Sequence, residues 1–296
     1  MTRSDKPSKG VSFFSAREIN LKKTLHPKSP SGRLRLIEGQ HNSWVKELRQ
    51  AFARGDLSPQ GFFAIEGARI LDEAIRSGLR FHAVFFSKSA SGKAERLLPQ
   101  FGPRVETLML PDKLFASAVP SDSPQGVAAL VHWKQSTLQD VLRRAHAGPV
   151  LVIAGIQDPG NLGTILRSAE AFGAAGVVLG KGTVSPLNPK VIRASAGSVF
   201  RIPVVRAKLE QALPEMQEHN LRLIATSSHK GLPAHQAKLL PPLAIFIGNE
   251  GAGLSRDLLA KIDAVAVPHA PEVESLNAAI AASIVLYEAA KQRNQS

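Results

Sequence analysis

The chain reads as an α/β protein, with a mostly parallel sheet in its C-terminal half and a smaller α/β unit ahead of it. Three observations carry that reading. Short apolar runs rich in β-branched residues, such as VLVIAGI, LAIFIG and AVAVP, show no polar alternation, the pattern of strands buried on both faces of a parallel sheet. Helical stretches alternate with such runs through most of the chain. These three runs also end in polar turns: QDPGNLG, NEGAGLS and HAPEVESLN. In open α/β sheets the ligand crevice lies outside the carboxyl ends of the strands, so the three turns should converge on one site.

Taken in order, residues 1–33 are polar, broken by Pro, Ser and Gly, and lack periodicity, which predicts a disordered arm. SWVKELRQAFA (43–53) predicts a helix, FFAIEG (62–67) a strand, and ARILDEAIRSG (68–78) a helix closed by Gly78. HAVFFS (strand), a polar helix near 91–100, RVETLML (strand), PDKLFASAV (helix) and QGVAALVHW (strand) complete a unit spanning 34–134. QSTLQDVLRRAHAGP (135–149) leads into a second unit, 135–296. There VLVIAGI, a helix over 162–172, GVVLG, a helix near 188–197, a strand at RIPVV, a helix over 209–219, RLIATS, LAIFIG, AVAVP and a final helix repeat the alternation. The expected product is a sheet covered on both faces.

Composition narrows the function. With no cysteine, disulfides, thiolate zinc sites and cysteine nucleophiles are excluded. No apolar run approaches the roughly 20 residues that span a bilayer. The net charge is +13, and residues 1–35 hold nine Lys/Arg against Asp5 and Glu18, a local +7. A polyanion is the expected partner, and nucleic acid fits better than membrane because no apolar anchor accompanies the charge. A solubilising tail has the same composition. So has a mitochondrial transit peptide, although two acids and several prolines depart from that pattern. No histidine spacing suggests a metal, no GxSxG elbow occurs, and His41, His229 and His269 read as ordinary polar residues.

The three turns hold the candidate chemistry. In Asp158–Gly163, Asn161 stands where a helix N-cap is expected, and Leu162, Ile165, Leu166, Ala169 and Phe172 form the buried stripe. Arg167 falls nearly opposite that stripe and projects away from the core. Gly248–Ser255 carries three glycines in neither dinucleotide nor P-loop spacing, with Glu250 as an acceptor for hydroxyl, amine or Arg donors. In the third turn Ser275 is placed as N-cap, and Glu272, Glu274 and Asn277 crowd the same helix start. Leu276, Ala279, Ile280, Ser283, Ile284 and Tyr287 form the expected buried stripe. Taken singly, each cluster is also what a plain capped helix or mobile glycine turn would show.

NLGTILRSAEAFG, FIGNEGAGLS and VPHAPEVESLNAAIAASIVLYE closely resemble the three ordered motifs of the SpoU (TrmH-type) RNA ribose methyltransferases, over residues 151–290. IRASAGSVFRIPV resembles the segment between motifs 1 and 2. More loosely, FFAIEGARILDEAI and SDSPQGVAALV resemble the ribosomal-protein-L30e-like substrate-binding domain that often precedes this catalytic domain. The resemblance implies S-adenosylmethionine-dependent methylation of a ribose 2′-hydroxyl in structured RNA, foremost 23S rRNA. It also implies a deep trefoil knot, a homodimer, a bacterial cytoplasmic setting, and no membrane or metal partner. It puts Asn161, Arg167, Glu250, Ser275 and Asn277 on catalytic positions. Thr226, Ser227, Gly248, Asn249, Gly253, Val267 and Leu276 fall on the cofactor loops. A tRNA substrate, methylation of a base, and a catalytically silent RNA-binding module are the alternatives.

Overall fold

Two β-sheets organise the described residues. The structure, a computed structural model, describes residues 33–228, 230–249, 254 and 262–295. The expected N-terminal arm, Arg33 apart, lies outside them, as do His229, Glu250 and Gly253.

The first sheet contains β1 (Arg35–Leu36), β2 (Phe62–Glu66), β3 (Phe81–Ser87), β4 (Glu106–Leu110) and β5 (Val127–His132), in the order β1-β4-β3-β5-β2. β3 runs parallel to β4 and antiparallel to β5. Side chains alternate across it. Phe62, Ala64, Phe85 and Leu108 pack under α1 (Ser43–Arg54) and α4 (Asp112–Ala118). On the other face Phe63, Ile65, Val84 and Phe86 meet α2 (Ala68–Arg76) and α3 (Ser91–Leu97). The helix expected near 91–100 stops as α-helix at Leu97 and continues as a 3₁₀ turn over Leu98–Gln100, because Pro99 has no N–H to extend the ladder.

The second sheet is parallel throughout. It holds β6 (Val150–Ala154), β7 (Gly176–Leu179), β8 (Val204–Arg206), β9 (Arg222–Ser227), β10 (Leu232–Pro233), β11 (Leu243–Gly248) and β12 (Asp263–Ala266). Their order is β10-β12-β9-β11-β6-β7-β8. α5 (Leu138–Leu142) and α8 (Leu209–Glu218) cover the face that carries Val150, Val152 and Phe246. α6 (Pro159–Ala171), α7 (Pro189–Ala194) and α9 (Ala278–Gln295) cover Leu151, Ile153, Ile245 and Ile247. Both faces are thus clad, as the unalternating strands required. The two-residue strands β1 and β10 are too short to leave a pattern in sequence.

Two expected helix starts are corrected. α6 begins at Pro159, three residues before the apolar stripe, because proline at the first helical position is pre-set in φ and loses no hydrogen bond there. Its N-cap is Asp158, whose carboxylate accepts from the Asn161 N–H at 2.7 Å, so Asn161 sits inside the first turn. α9 is capped by Asn277, not Ser275: the Asn277 Oδ1 accepts from the backbone N–H groups of Ala279 (2.9 Å) and Ile280 (3.2 Å). The buried stripe of α9 is also rotated. Ala279, Ala282, Val285, Leu286 and Ala289 are buried, whereas Ile280, Ile284 and Tyr287 are 53%, 38% and 55% exposed. AAIAASIVLYEAA is apolar nearly all round, and packing against α6 selects the small alanine face.

The sheets share one apolar layer. Phe63 of β2 lies 6.1 Å from Phe200, between the ring centroids, ahead of β8. Arg201 beside it donates to Glu73 of α2 (2.7 Å) and to Glu170 of α6 (2.9 Å), tying the two halves. Burial pushes the Glu170 carboxyl up, but hydrogen bonds from Arg201 and Ser198 and the Arg201 charge outweigh it and hold the carboxyl below its usual range.

Candidate active site

The carboxyl ends of β9, β11 and β12 open on a cavity of about 600 Å³. β11 lies beside β6 with Gly248 opposite Ala154, and β12 lies beside β9 with Ala266 opposite Ser227. Four strand ends therefore finish at one level. Thr226, Ser227, Gly248, Asn249, Val267, Ser275, Leu276 and Asn277 all line the cavity, so eight of the expected residues are brought together.

Hydrogen bonds between the loops fix this wall. The Asn249 Nδ2 donates to the Gly155 carbonyl at 2.7 Å, joining the end of β11 to the turn after β6. Gly155 has φ +85° there, a conformation suited to glycine, and its N–H donates to the Thr183 Oγ1 at 3.0 Å. The Thr226 hydroxyl donates to the Phe246 carbonyl at 3.1 Å, and the Ser227 Oγ accepts from the Lys230 N–H at 3.1 Å. The Asn277 Nδ2 donates to the Asn161 Oδ1 at 2.9 Å, linking the third turn to the first.

Arg167 lies outside the cavity lining. It is exposed on α6, two turns beyond the cap, as its position opposite the buried stripe predicts. Among the described residues it makes no hydrogen bond or ion pair. Glu250 and Gly253 fall outside the described residues. Two residues escaped the sequence reading. His269, whose spacing suggests only an ordinary polar residue, lines the cavity, with its Nδ1 2.8 Å from the Val267 carbonyl. Its place in the third turn, two residues after Val267, was the available signal. Asp158 holds the first turn, and the Asp-Pro pair was its signal.

Chemically the wall is mostly backbone and small polar side chains, with Ile247, Val265 and Leu276 for apolar contact. Its volume lies within the roughly 300–1,000 Å³ of small-molecule sites. Such a cavity fits a ligand with a flat ring, hydroxyls and a polar tail. Glu274 lines it too, giving a cationic ligand group a counter-charge.

Comparison with known proteins agrees with this geometry. The model of the SpoU rRNA Methylase family matches residues 148–287, and that of the MRM3-like substrate binding domain matches residues 42–129. A 23S rRNA (guanosine(2553)-2′-O)-methyltransferase, RlmP, from Bacillus subtilis is 34% identical over 257 residues, covering 86% of this chain and 98% of the relative. The crystal structure of an AdoMet-bound rRNA methyltransferase from Sinorhizobium meliloti superimposes with TM-score 0.76 at 28% identity, covering 88% of this chain and 99% of that one. The SpoU methyltransferase AviRb from Streptomyces viridochromogenes, in complex with AdoMet, gives TM-score 0.77 at 26% identity, with 86% and 99% covered. The chain belongs to the SpoU rRNA methylase family, with a substrate-binding domain of the MRM3-like kind ahead of the methylase domain.

Proposed function

We propose that the protein transfers the methyl group of S-adenosylmethionine to a ribose 2′-hydroxyl of structured RNA, most specifically 23S rRNA. The observation that carries this reading is a cavity lined by the second and third motif turns, to which the first turn is tied from outside the lining by the Asn277–Asn161 hydrogen bond and the turn after β6 by the Asn249–Gly155 hydrogen bond.

The cavity lining fits the cofactor: Thr226, Ser227, Gly248, Val267 and Leu276 would hold it. Asn249 and Gly253 complete the set. When bound, the cofactor supplies a sulfonium methyl already activated for displacement by oxygen. The protein's own task is then alignment and the loss of one hydroxyl proton. Arg167 stays protonated, as guanidinium groups do in proteins, and so serves as a fork for the phosphate beside the target ribose, stabilising charge on the hydroxyl oxygen. Its exposure and lack of a partner among the described residues support that role. Asn161 and Asn277 act as one unit that orients the nucleotide, Ser275 holds the third turn, and Glu250, by resemblance, would serve with Asn161 to position Arg167 and substrate.

Residues 34–134 hold RNA and residues 135–296 carry catalysis; support comes from the two family matches, each falling inside one of these spans. Residues 1–33, with eight Lys/Arg, extend the RNA contact. By its resemblance to the family, the methylase half closes as a deep trefoil knot, an arrangement rare among folds. The working unit is a homodimer: Ile280, Ile284 and Tyr287 form an exposed apolar ridge on one face of α9. The bacterial relative favours a bacterial cytoplasmic setting; among the described residues no helix is long and apolar enough to cross a membrane.

Mapping ribose methylation across the rRNA of a strain lacking this protein tests the reading. One missing 2′-O-methyl in 23S rRNA, restored by the intact gene, is expected; an unchanged map of rRNA refutes that substrate.

A further inference from the structure

A second cavity, of about 710 Å³, lies at the seam between the two sheets. Its wall combines the turn after α2, the residues closing β5, the turn after α5 and the segment leading into β8. β8 is the edge strand at the opposite end of the sheet from β10 and β12, and the lining stops at Pro203, just before its first residue. This wall therefore belongs to the amino end of the sheet, away from the cofactor cavity at the carboxyl ends.

Its charge is one-sided. Arg80, Lys134, Arg144 and Arg201 line it, and among the described residues no carboxylate does. Glu73 and Glu170 neutralise Arg201. Arg80, Lys134 and Arg144 are exposed and make no ion pair among the described residues. Three like charges around one concavity repel one another, and a bound anion relieves that repulsion. His132, in the same wall, registers the field: burial, and then the charges of Arg80 and His82, hold its imidazole below its ordinary pKa.

Its second component is aromatic. Trp133 lines the cleft and meets the buried Phe63 edge-to-face, with centroids 5.8 Å apart and planes at 85°. The indole is thus fixed against the core. Cations that grip a phosphate, beside a fixed ring that stacks a base, are the elements of a single-stranded nucleic-acid subsite.

We propose that this cleft is a second RNA subsite, taking an unpaired nucleotide of the substrate away from the methylated ribose. Its phosphate lies among Arg80, Lys134 and Arg144, and its base stacks on Trp133. The assignment rests on RNA being the substrate. Because both halves of the chain build the cleft, occupancy also locks the RNA-holding half against the catalytic half.

The chain has two tryptophans, so Trp44→Phe leaves Trp133 as the only indole reporter. Titration of that variant with a single-stranded oligouridylate should quench its fluorescence saturably, and uridine monophosphate should bind far more weakly. In a second comparison on the tryptophan-intact chain, Arg80→Gln, Lys134→Gln and Arg144→Gln together should weaken oligouridylate binding at least about tenfold. They should also flatten its salt dependence by about 0.7, the value for one neutralised phosphate on a single strand. A thiouridine-labelled oligomer should cross-link within residues 132–134 of the unaltered protein. Unchanged fluorescence at saturation, an unchanged salt slope in the triple variant, or cross-links elsewhere would overturn the proposal. Equal binding of the mononucleotide would assign the cleft to a free nucleotide and overturn it as an RNA subsite. S-adenosylmethionine binding by calorimetry separates the two readings: if it persists while these results fail, only the cleft assignment is lost.

Discussion

Asn277 does two jobs with opposite ends of one amide: its Oδ1 caps α9, and its Nδ2 reaches Asn161 in the first turn of α6, 2.9 Å away. The bond joins residues 116 positions apart and holds two of the three motif turns together.

The two jobs separate by substitution. Asn277→Ser keeps a good cap but is too short for the bridge, whereas Asn277→Ala loses both and should cost about 1 kcal/mol of stability. We expect Asn277→Ser and Asn161→Ala to keep the wild-type melting temperature within about a degree or two while kcat falls at least about tenfold. Full activity in both variants would show that the bridge orients nothing.

Arg167→Ala should lower methyl transfer at least about 100-fold, on the scale of a lost oxyanion donor, with cofactor affinity unchanged by calorimetry. Arg167→Lys should also be poor, since a point charge does not reproduce the fork. A fully active lysine variant contradicts the phosphate-gripping role.

Gly163 is held by packing. A Cβ there would lie 2.4 Å from the Ala194 Cβ and 2.8 Å from the Val191 carbonyl, so α6 and α7 could not approach as they do. Gly163→Ala should destabilise by about 1–3 kcal/mol in denaturant titration, the usual cost of overpacking. A neutral result would mean the helices part at no cost.

Glu66 gives a pH signature. It is 8% exposed, and its Oε1 accepts from the Gln125 N–H at 3.3 Å. Burial pushes its carboxyl up, only partly offset by that hydrogen bond and by the Arg193 charge. With the folded pKa above the unfolded one, the folded state binds more protons between the two values, so this group lowers stability as pH rises through them. Glu66→Gln keeps the acceptor without the charge. Its denaturant midpoint should match wild type below about pH 4 and exceed it at pH 7. A lower midpoint at pH 7 contradicts the sign.

Legibility followed the range of the interaction. α1 and the long strands were read nearly to the residue because their apolar pattern and caps are local. The start of α6 was misplaced because Pro159 and Asp158 extend the helix beyond its apolar stripe. The stripe of α9 was ambiguous because both of its faces are apolar, and only contact with α6 selects the alanine face. At the site, the family resemblance named eight lining residues, but nothing local could reveal that Asn161 meets Asn277 or that Arg201 clamps α2 to α6. Those depend on strand order, which periodicity does not encode.

The central claim is ribose methylation at the cavity lined by the second and third motif turns. Purified protein, labelled S-adenosylmethionine and unmodified 23S rRNA test it most directly, with the product digested by a nuclease that needs a free 2′-hydroxyl. The account predicts label in a nuclease-resistant dinucleotide, lost with Arg167→Ala. Label released in a mononucleotide, which marks base methylation, would contradict it, as would no transfer at all by protein that binds both cofactor and RNA.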